Sequence, residues 1–140
     1  MSRVFWDTNL FIYLLEDYGS LTDTVFHLRR RMITRGDQLY TSFFTMGELL
    51  IKPVARNDDR SIQFYRESLE RGATLLPFSE DAAMHYARIR RDKTIKAPDA
   101  IQLSCAAQAD MDMFITNDDH LSGKSVAGIQ FIMPLAAAAL

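Results

Sequence analysis

Short apolar runs alternate along the chain with longer stretches whose apolar residues recur at helical spacing. VFW (4–6), QLYTS (38–42), TLLPF (74–78), MFIT (113–116) and IQFIM (129–133) have the length and residue type of strands. Residues 9–16, 21–35, 45–55, 61–71, 81–92 and 98–109 fit helices between them. In the second helical stretch Val25, Leu28 and Met32 fall on one face before Gly36 stops the pattern. Pro98 suits a first helical position, and Gly72 lies just past a helix end. Strands separated by helices predict an α/β fold, a three-layer α/β/α sandwich with a mainly parallel central sheet. No internal repeat or low-complexity segment interrupts the pattern apart from the terminal alanines, and 140 residues suffice for one core, so residues 1–140 read as a single domain.

Composition narrows the function. Hydrophobic residues make up 48% and charged residues 24%, as in ordinary globular proteins. A net charge of −2 and a pI near 5.9 exclude a protein that grips nucleic acid by bulk charge, so any such contact must be local. The single cysteine, Cys105, excludes an internal disulfide and, with three scattered histidines, a zinc site. Its setting in AIQLSCAAQA reads as an inert buried helix residue and favours a reducing compartment. No run approaches the roughly 20 apolar residues that span a bilayer. LFIYLL (10–15) ends at Glu16 and makes a poor signal peptide, so the expected setting is cytoplasmic, with no membrane partner. The closing PLAAAAL reads as a frayed or packed tail.

Four acids stand where an apolar run gives way to a turn or helix: Asp7 in VFWDTN, Glu48 in FTMGELL, Asp99 in KAPDAIQL and Asp118 in FITNDDH. In an open parallel sheet the residues just beyond the carboxyl ends of the strands face one crevice, so acids scattered in sequence can cluster in space. Two unit charges about 4 Å apart repel by roughly 4 kcal/mol at an effective dielectric of about 20, so such a cluster calls for a cation. Oxygen-only ligands suit Mg²⁺ or Mn²⁺, and these metals at carboxylates commonly act on phosphate esters.

Each acid alone also has a purely structural reading. Asp7 and Asp118 could cap helices, Thr45-x-x-Glu48 matches a capping box, and Asp99 after Pro98 complements a helix dipole. Capping leaves their company unexplained. Thr8 and Asn9 follow Asp7, and Thr116 and Asn117 precede Asp118, which are small polar groups able to orient a carboxylate or a bound water.

DTN at 7–9, the glutamate of GELL at 48, the aspartate of APDAIQL at 99 and TND at 116–118 resemble the ordered acidic motifs of PIN-domain ribonucleases, in particular the VapC-type toxins of toxin–antitoxin pairs. The resemblance runs from residue 4 to about residue 132. It implies an endoribonuclease dependent on Mg²⁺ or Mn²⁺, with Asp7, Glu48, Asp99 and Asp118 as catalytic residues and metal ligands. Thr8, Asn9, Thr116 and Asn117 would support them, with Asp119 a candidate outer ligand. It further implies a homodimer, an RNA substrate and a small cognate antitoxin.

Water attacking in line at such a site leaves a 5′-phosphate and a 3′-hydroxyl, without a histidine-made cyclic phosphate. ARIRRDKTIK supplies candidate RNA contacts in Arg88, Arg90, Arg91, Lys93 and Lys96, just before Asp99. His120 is a candidate phosphate contact. Arg29, Arg30 and Arg31 read as a solvated face paired with nearby acids, and Phe43, Phe44, Phe64, Tyr65 and Tyr86 as core packing. Two other readings are a non-catalytic binding module, which loss of an acid would favour, and an α/β phosphatase. A haloacid-dehalogenase-type phosphatase wants a second aspartate where this chain has Asn9.

Overall fold

A parallel strand is covered on both faces, which is why its sequence reads as a continuous apolar run. The computed structural model, which describes residues 1–139, places β1 (Arg3–Trp6) in the middle of such a sheet. β2 (Gln38–Ser42) and β4 (Met111–Thr116) flank it, with β3 (Thr74–Leu76) outside β2 and β5 (Ile129–Pro134) outside β4. The order β3-β2-β1-β4-β5 is parallel throughout, and Phe5 of β1 stands in register with Tyr40 of β2 and Phe114 of β4.

The helices are α1 (Thr8–Leu15), α2 (Ser20–Arg35), α3 (Phe43–Ala55), α4 (Asp59–Gly72), α5 (Glu80–Ile89), α6 (Ala97–Gln108) and α7 (Leu135–Ala138), with a short 3₁₀ turn at Asp119–Leu121. Side-chain alternation along β1 and β4 sorts the two cores. Val4, Trp6 and Ile115 pack against Leu10 and Phe11 of α1 and Val25, Leu28 and Met32 of α2, joined by Leu49, Leu69 and Leu135. Phe5 and Phe114, stacked at 5.1 Å, face the other way onto Leu103, Ala106 and Ala107 of α6 and Ile89 of α5. Each such large side chain contributes roughly 1.5–3 kcal/mol on burial. The sheet is therefore sandwiched between two helical layers, as the alternation of elements requires.

Three local expectations change. β3 stops at Leu76, because Pro77 cannot donate to a ladder. α3 starts two residues early, at Phe43: Ser42 is the cap and accepts from the Thr45 amide at 3.2 Å, so Thr45-x-x-Glu48 is not a capping box. Phe43 and Phe64, 53% and 51% exposed, do not pack into the core; their helices turn them outward. Phe44, Tyr65 and Tyr86 are half-buried. The PLAAAAL tail is packed, with Leu135 in the core, although Leu140 lies outside the described residues. Among the described residues no helix is long and apolar enough to cross a membrane.

Gly128 leads into β5 at φ +95°, and a Cβ there would lie 2.4 Å from the carbonyl oxygen of Ala107 near the end of α6. Both the backbone and the contact demand glycine. Gly128→Ala is expected to cost about 1–3 kcal/mol and lower Tm by several degrees. A thermal melt unchanged from wild type would refute the close approach.

Candidate active site

The chain winds outward from β1 in both directions, to β2 and β3 on one side and β4 and β5 on the other. A crevice opens at such a reversal, beyond the carboxyl ends of the central strands. Asp7 follows β1 there, 7% exposed, extending the sheet by donating its amide to the Ile115 carbonyl at 3.0 Å. Its carboxylate caps α1 by accepting from the Thr8 amide at 2.9 Å through Oδ1, and accepts from the Thr116 hydroxyl at 2.7 Å through Oδ2. Thr116 ends β4. Two residues on, Asp118 donates its amide to that same hydroxyl at 3.0 Å, and its Oδ1 accepts from the His120 amide at 2.9 Å.

The other two acids arrive on helices. Glu48, in the second turn of α3, accepts from the Thr8 hydroxyl at 2.5 Å. Asp99 stands in the first turn of α6. Capping and clustering are thus both true of Asp7 and Asp118: the hydrogen bonds that cap are the ones that hold the carboxylates at the crevice.

Electrostatics ties the four together. Burial pushes Asp7 above its ordinary value; hydrogen bonds from Thr116 and Thr8 pull it down, and the charges of Glu48 and Asp118 push it up again. Asp99 is pushed up to about 6, by burial first, then by the charges of Asp118 and Asp7 and a hydrogen bond with Asp118, while His120 works against the rise. Every acid of the quartet perturbs, or is perturbed by, another. Such mutual shifts in a crevice mark candidate functional sites.

The all-oxygen donor set is chemically suited to a hard divalent cation. Among the described residues, however, no three His, Cys, Asp or Glu side chains form a ready-made metal cage. The two observations are compatible for Mg²⁺, which keeps several waters and commonly takes only one or two carboxylates directly. The upward shifts of Asp7 and Asp99, from burial first and neighbouring acid charges after it, mean that both carboxyls hold their protons more readily than usual.

Sequence reasoning missed Gln102, one turn after Asp99 on α6 and 2% exposed. Its side-chain amide donates to Thr45 Oγ1 at 2.7 Å and Thr8 Oγ1 at 2.9 Å, and lies 3.5 Å from Asp7 Oδ1; its carbonyl accepts from the Ser42 hydroxyl. The available signal was an amide inside the otherwise apolar and small run AIQLSCAA.

The remaining candidates divide. Thr8 and Thr116 touch the acids directly. Asn9 and Asn117 instead tie α1 to the turn after β4: Asn9 Oδ1 accepts from the Asn117 amide at 3.3 Å, and Asn117 donates its side-chain amide to the Tyr13 hydroxyl at 3.0 Å. Asp119 is exposed at the start of the 3₁₀ turn, and the acid charges acting most on Asp99 are those of Asp118 and Asp7. His120, also exposed, is near enough for its charge to act on Asp99.

The basic stretch does not converge as a unit. Arg90 stacks on Tyr86 at 5.8 Å and donates to its hydroxyl at 3.0 Å, and Arg91 bonds back to the Arg88 carbonyl at 3.2 Å. Lys93 is exposed in the turn, and Lys96, also exposed, precedes the first residue of α6 two positions from Pro98. Arg29 is half-buried, directing Nη2 toward the Gly72 carbonyl at 3.4 Å instead of to an acid. Cys105 is buried, and burial pushes its thiol up to about 11, consistent with an inert core residue.

Comparison with known proteins agrees with this architecture. The chain aligns over 94% of its length, and 98% of the other chain, with VapBC2 from Rickettsia felis bound to a DNA fragment from their promoter, at TM-score 0.74 and 14% identity. DNA-bound VapBC from Salmonella typhimurium gives TM-score 0.69 and 19% identity over 96% and 99% of the two chains. VapBC-5 from Mycobacterium tuberculosis gives 0.61 and 20% over 96% and 99%. No curated protein matches the sequence. At these identities the likeness establishes the fold. The family model of the PIN domain matches residues 4–126, which contain all four acids and every strand but β5, and the chain therefore belongs to the PIN-domain family.

Proposed function

We propose that this chain is an endoribonuclease dependent on Mg²⁺ or Mn²⁺, the VapC-type toxin of a toxin–antitoxin pair. The observation that carries the reading is the meeting of Asp7, Glu48, Asp99 and Asp118, each acting electrostatically on another, in the crevice beyond β1 and β4 of a PIN domain. These four carboxylates are the groups that would hold the cation, which when bound neutralises charge on a phosphate oxygen and makes water a nucleophile near neutral pH. The chain's own part is positional. Thr116 and Thr8 fix Asp7, Thr8 also fixes Glu48, and the 3₁₀ turn fixes Asp118, so three of the four carboxylates are held in place by the fold.

The likeness to VapBC assemblies supports an antitoxin partner. An arginine on such a partner could occupy the acidic crevice in place of metal, since a guanidinium pairs well with carboxylates. A homodimer would have a place to pack in an exposed apolar hollow of about 560 Å³ bordered by Phe43, Phe44, Phe78, Tyr86 and Ile101. Lys93, Lys96 and His120, exposed near the start of α6, are the candidates for contact with the RNA backbone.

Purified protein is expected to cleave single-stranded or looped RNA with Mg²⁺ or Mn²⁺, to stop in EDTA, and to leave 5′-phosphate and 3′-hydroxyl ends. Cleavage that survives full chelation, or products ending in 2′,3′-cyclic phosphate, would sink the metal–water chemistry.

A further inference from the structure

We infer that Gln102 is a positioning residue that sets Glu48 and Asp7 for metal binding through a one-way chain of hydrogen bonds. The inference rests on the proposed function and extends it to a group outside the acidic quartet.

The direction of the chain follows from counting protons. Glu48 Oε1 lies 2.5 Å from Thr8 Oγ1, against 3.3 Å from Thr8 Oγ1 to Thr45 Oγ1, so the single Thr8 hydroxyl proton goes to Glu48. Thr8 can then only accept from Gln102, and the amide does donate to it at 2.9 Å. On the other branch Thr41 donates to the Trp6 carbonyl, an obligate acceptor, at 3.0 Å. The 2.8 Å contact between Thr41 and Thr45 hydroxyls must therefore use the Thr45 proton, which leaves Thr45 Oγ1 to accept from Gln102 as well. Both amide protons are thereby assigned, and Ser42 donates to the carbonyl.

Turning the amide over would break this arrangement at Asp7 and at both threonines, although the Ser42 hydroxyl could accept from the turned NH₂. Its oxygen would meet Asp7 Oδ1 as one acceptor against another, and neither threonine would have a proton free to answer it without abandoning Glu48 or Thr41. Gln102 thus has one orientation. In it, the same group holds β1–α1 through Thr8, and α3 through Thr45 and Ser42, from the helix that carries Asp99. Two acids that arrive on different elements are kept in fixed relation by a residue that need touch neither RNA nor metal.

The test is direct Mn²⁺ binding, by electron paramagnetic resonance or calorimetry on folded protein, alongside cleavage kinetics. Gln102→Met keeps the volume and removes the donors. It is expected to raise the Mn²⁺ dissociation constant by about 10–100-fold, the usual effect of losing a partner behind a ligand, with KM for RNA little changed when Mn²⁺ saturates. Thr8→Val combined with Gln102→Met is expected to fall well short of the product of the single effects, because Gln102 reaches Glu48 through Thr8. Should Gln102→Met fail to fold, Ser42→Ala, which keeps both amide donors but removes their anchor, is expected to weaken Mn²⁺ binding by a smaller factor, with Ser42→Gly, which keeps much of the α3 cap, giving the same result. A folded Gln102→Met, or in its absence Ser42→Ala, that binds Mn²⁺ as wild type does overturns the inference while leaving the proposed function intact. Wild type that neither binds Mn²⁺ nor cleaves RNA overturns the proposed function and the inference with it.

Discussion

Wild type is expected to arrest growth of a bacterial host, and Asp7→Asn to fold, to lose RNA cleavage by on the order of 10²–10³-fold or more, and to relieve that arrest. Folding is expected because asparagine can satisfy the same partners. Its oxygen can accept from the Thr8 amide, while its NH₂ group faces the Thr116 hydroxyl, whose proton is free to turn away. Removing the charge also relieves repulsion from Glu48 and Asp118 and the penalty of burying a carboxylate, so the metal-free variant should melt no lower than wild type. A stable yet inactive variant separates loss of chemistry from loss of fold. Equal harmlessness of wild type and Asp7→Asn at matched expression in several hosts would remove the main support for a toxin.

Asp99→Asn is expected to change stability in opposite senses with and without metal. A charge that merely complements a helix dipole contributes about 0.3–1 kcal/mol, and its loss lowers stability whatever the metal. Asp99 is instead raised from an ordinary 3.8 to about 6, which means the folded protein favours its protonated form. The stability contributed by that proton is complete below about pH 4 and is lost as pH rises through about 6. Wild type in EDTA should therefore lose stability across this window. Asp99→Asn lacks that share of the loss, so at pH 7.5 it should melt as high as wild type or higher. Mn²⁺ at 100 times its dissociation constant should then stabilise wild type by about 2.7 kcal/mol, roughly 10 °C in Tm, and the variant much less. A variant that melts lower in EDTA yet gains as much from Mn²⁺ as wild type would show that Asp99 serves only its helix.

The strands and the acids were legible for the same reason. β1 and β4 are covered on both faces, so VFW and MFIT stand out as apolar runs, and the acids that end or follow such runs are where an α/β crevice gathers side chains. Gln102 was only faintly legible: its apolar and small neighbours in AIQLSCAA hint at burial but not at a partner. Its meaning depends on β1, α3 and α6 converging from positions up to 95 residues apart. The start of α3 was obscured because Ser42 serves at once as the last residue of β2 and as a helix cap. The run of five basic residues looked like one surface, yet Tyr86 and Arg90, four apart on α5, meet each other first, a local pairing that spacing alone could have indicated.

Gly128 carries no chemistry, yet it sets where α6 is seated. Helices transmit displacement along their axis far better than they absorb it, and Ala107 lies only about 12 Å along α6 from Asp99, at about 1.5 Å per residue. A side chain at Gly128 would push on the Ala107 carbonyl near one end of this rod, with Gln102 at its middle and Asp99 in its first turn. Because interiors are packed too closely to dissipate such a shove, it is delivered as a translation of both residues relative to Asp7 and Glu48. The reach of the acidic crevice is therefore expected to extend to the far edge of the sheet, where an alanine in place of one hydrogen would misalign groups it never meets.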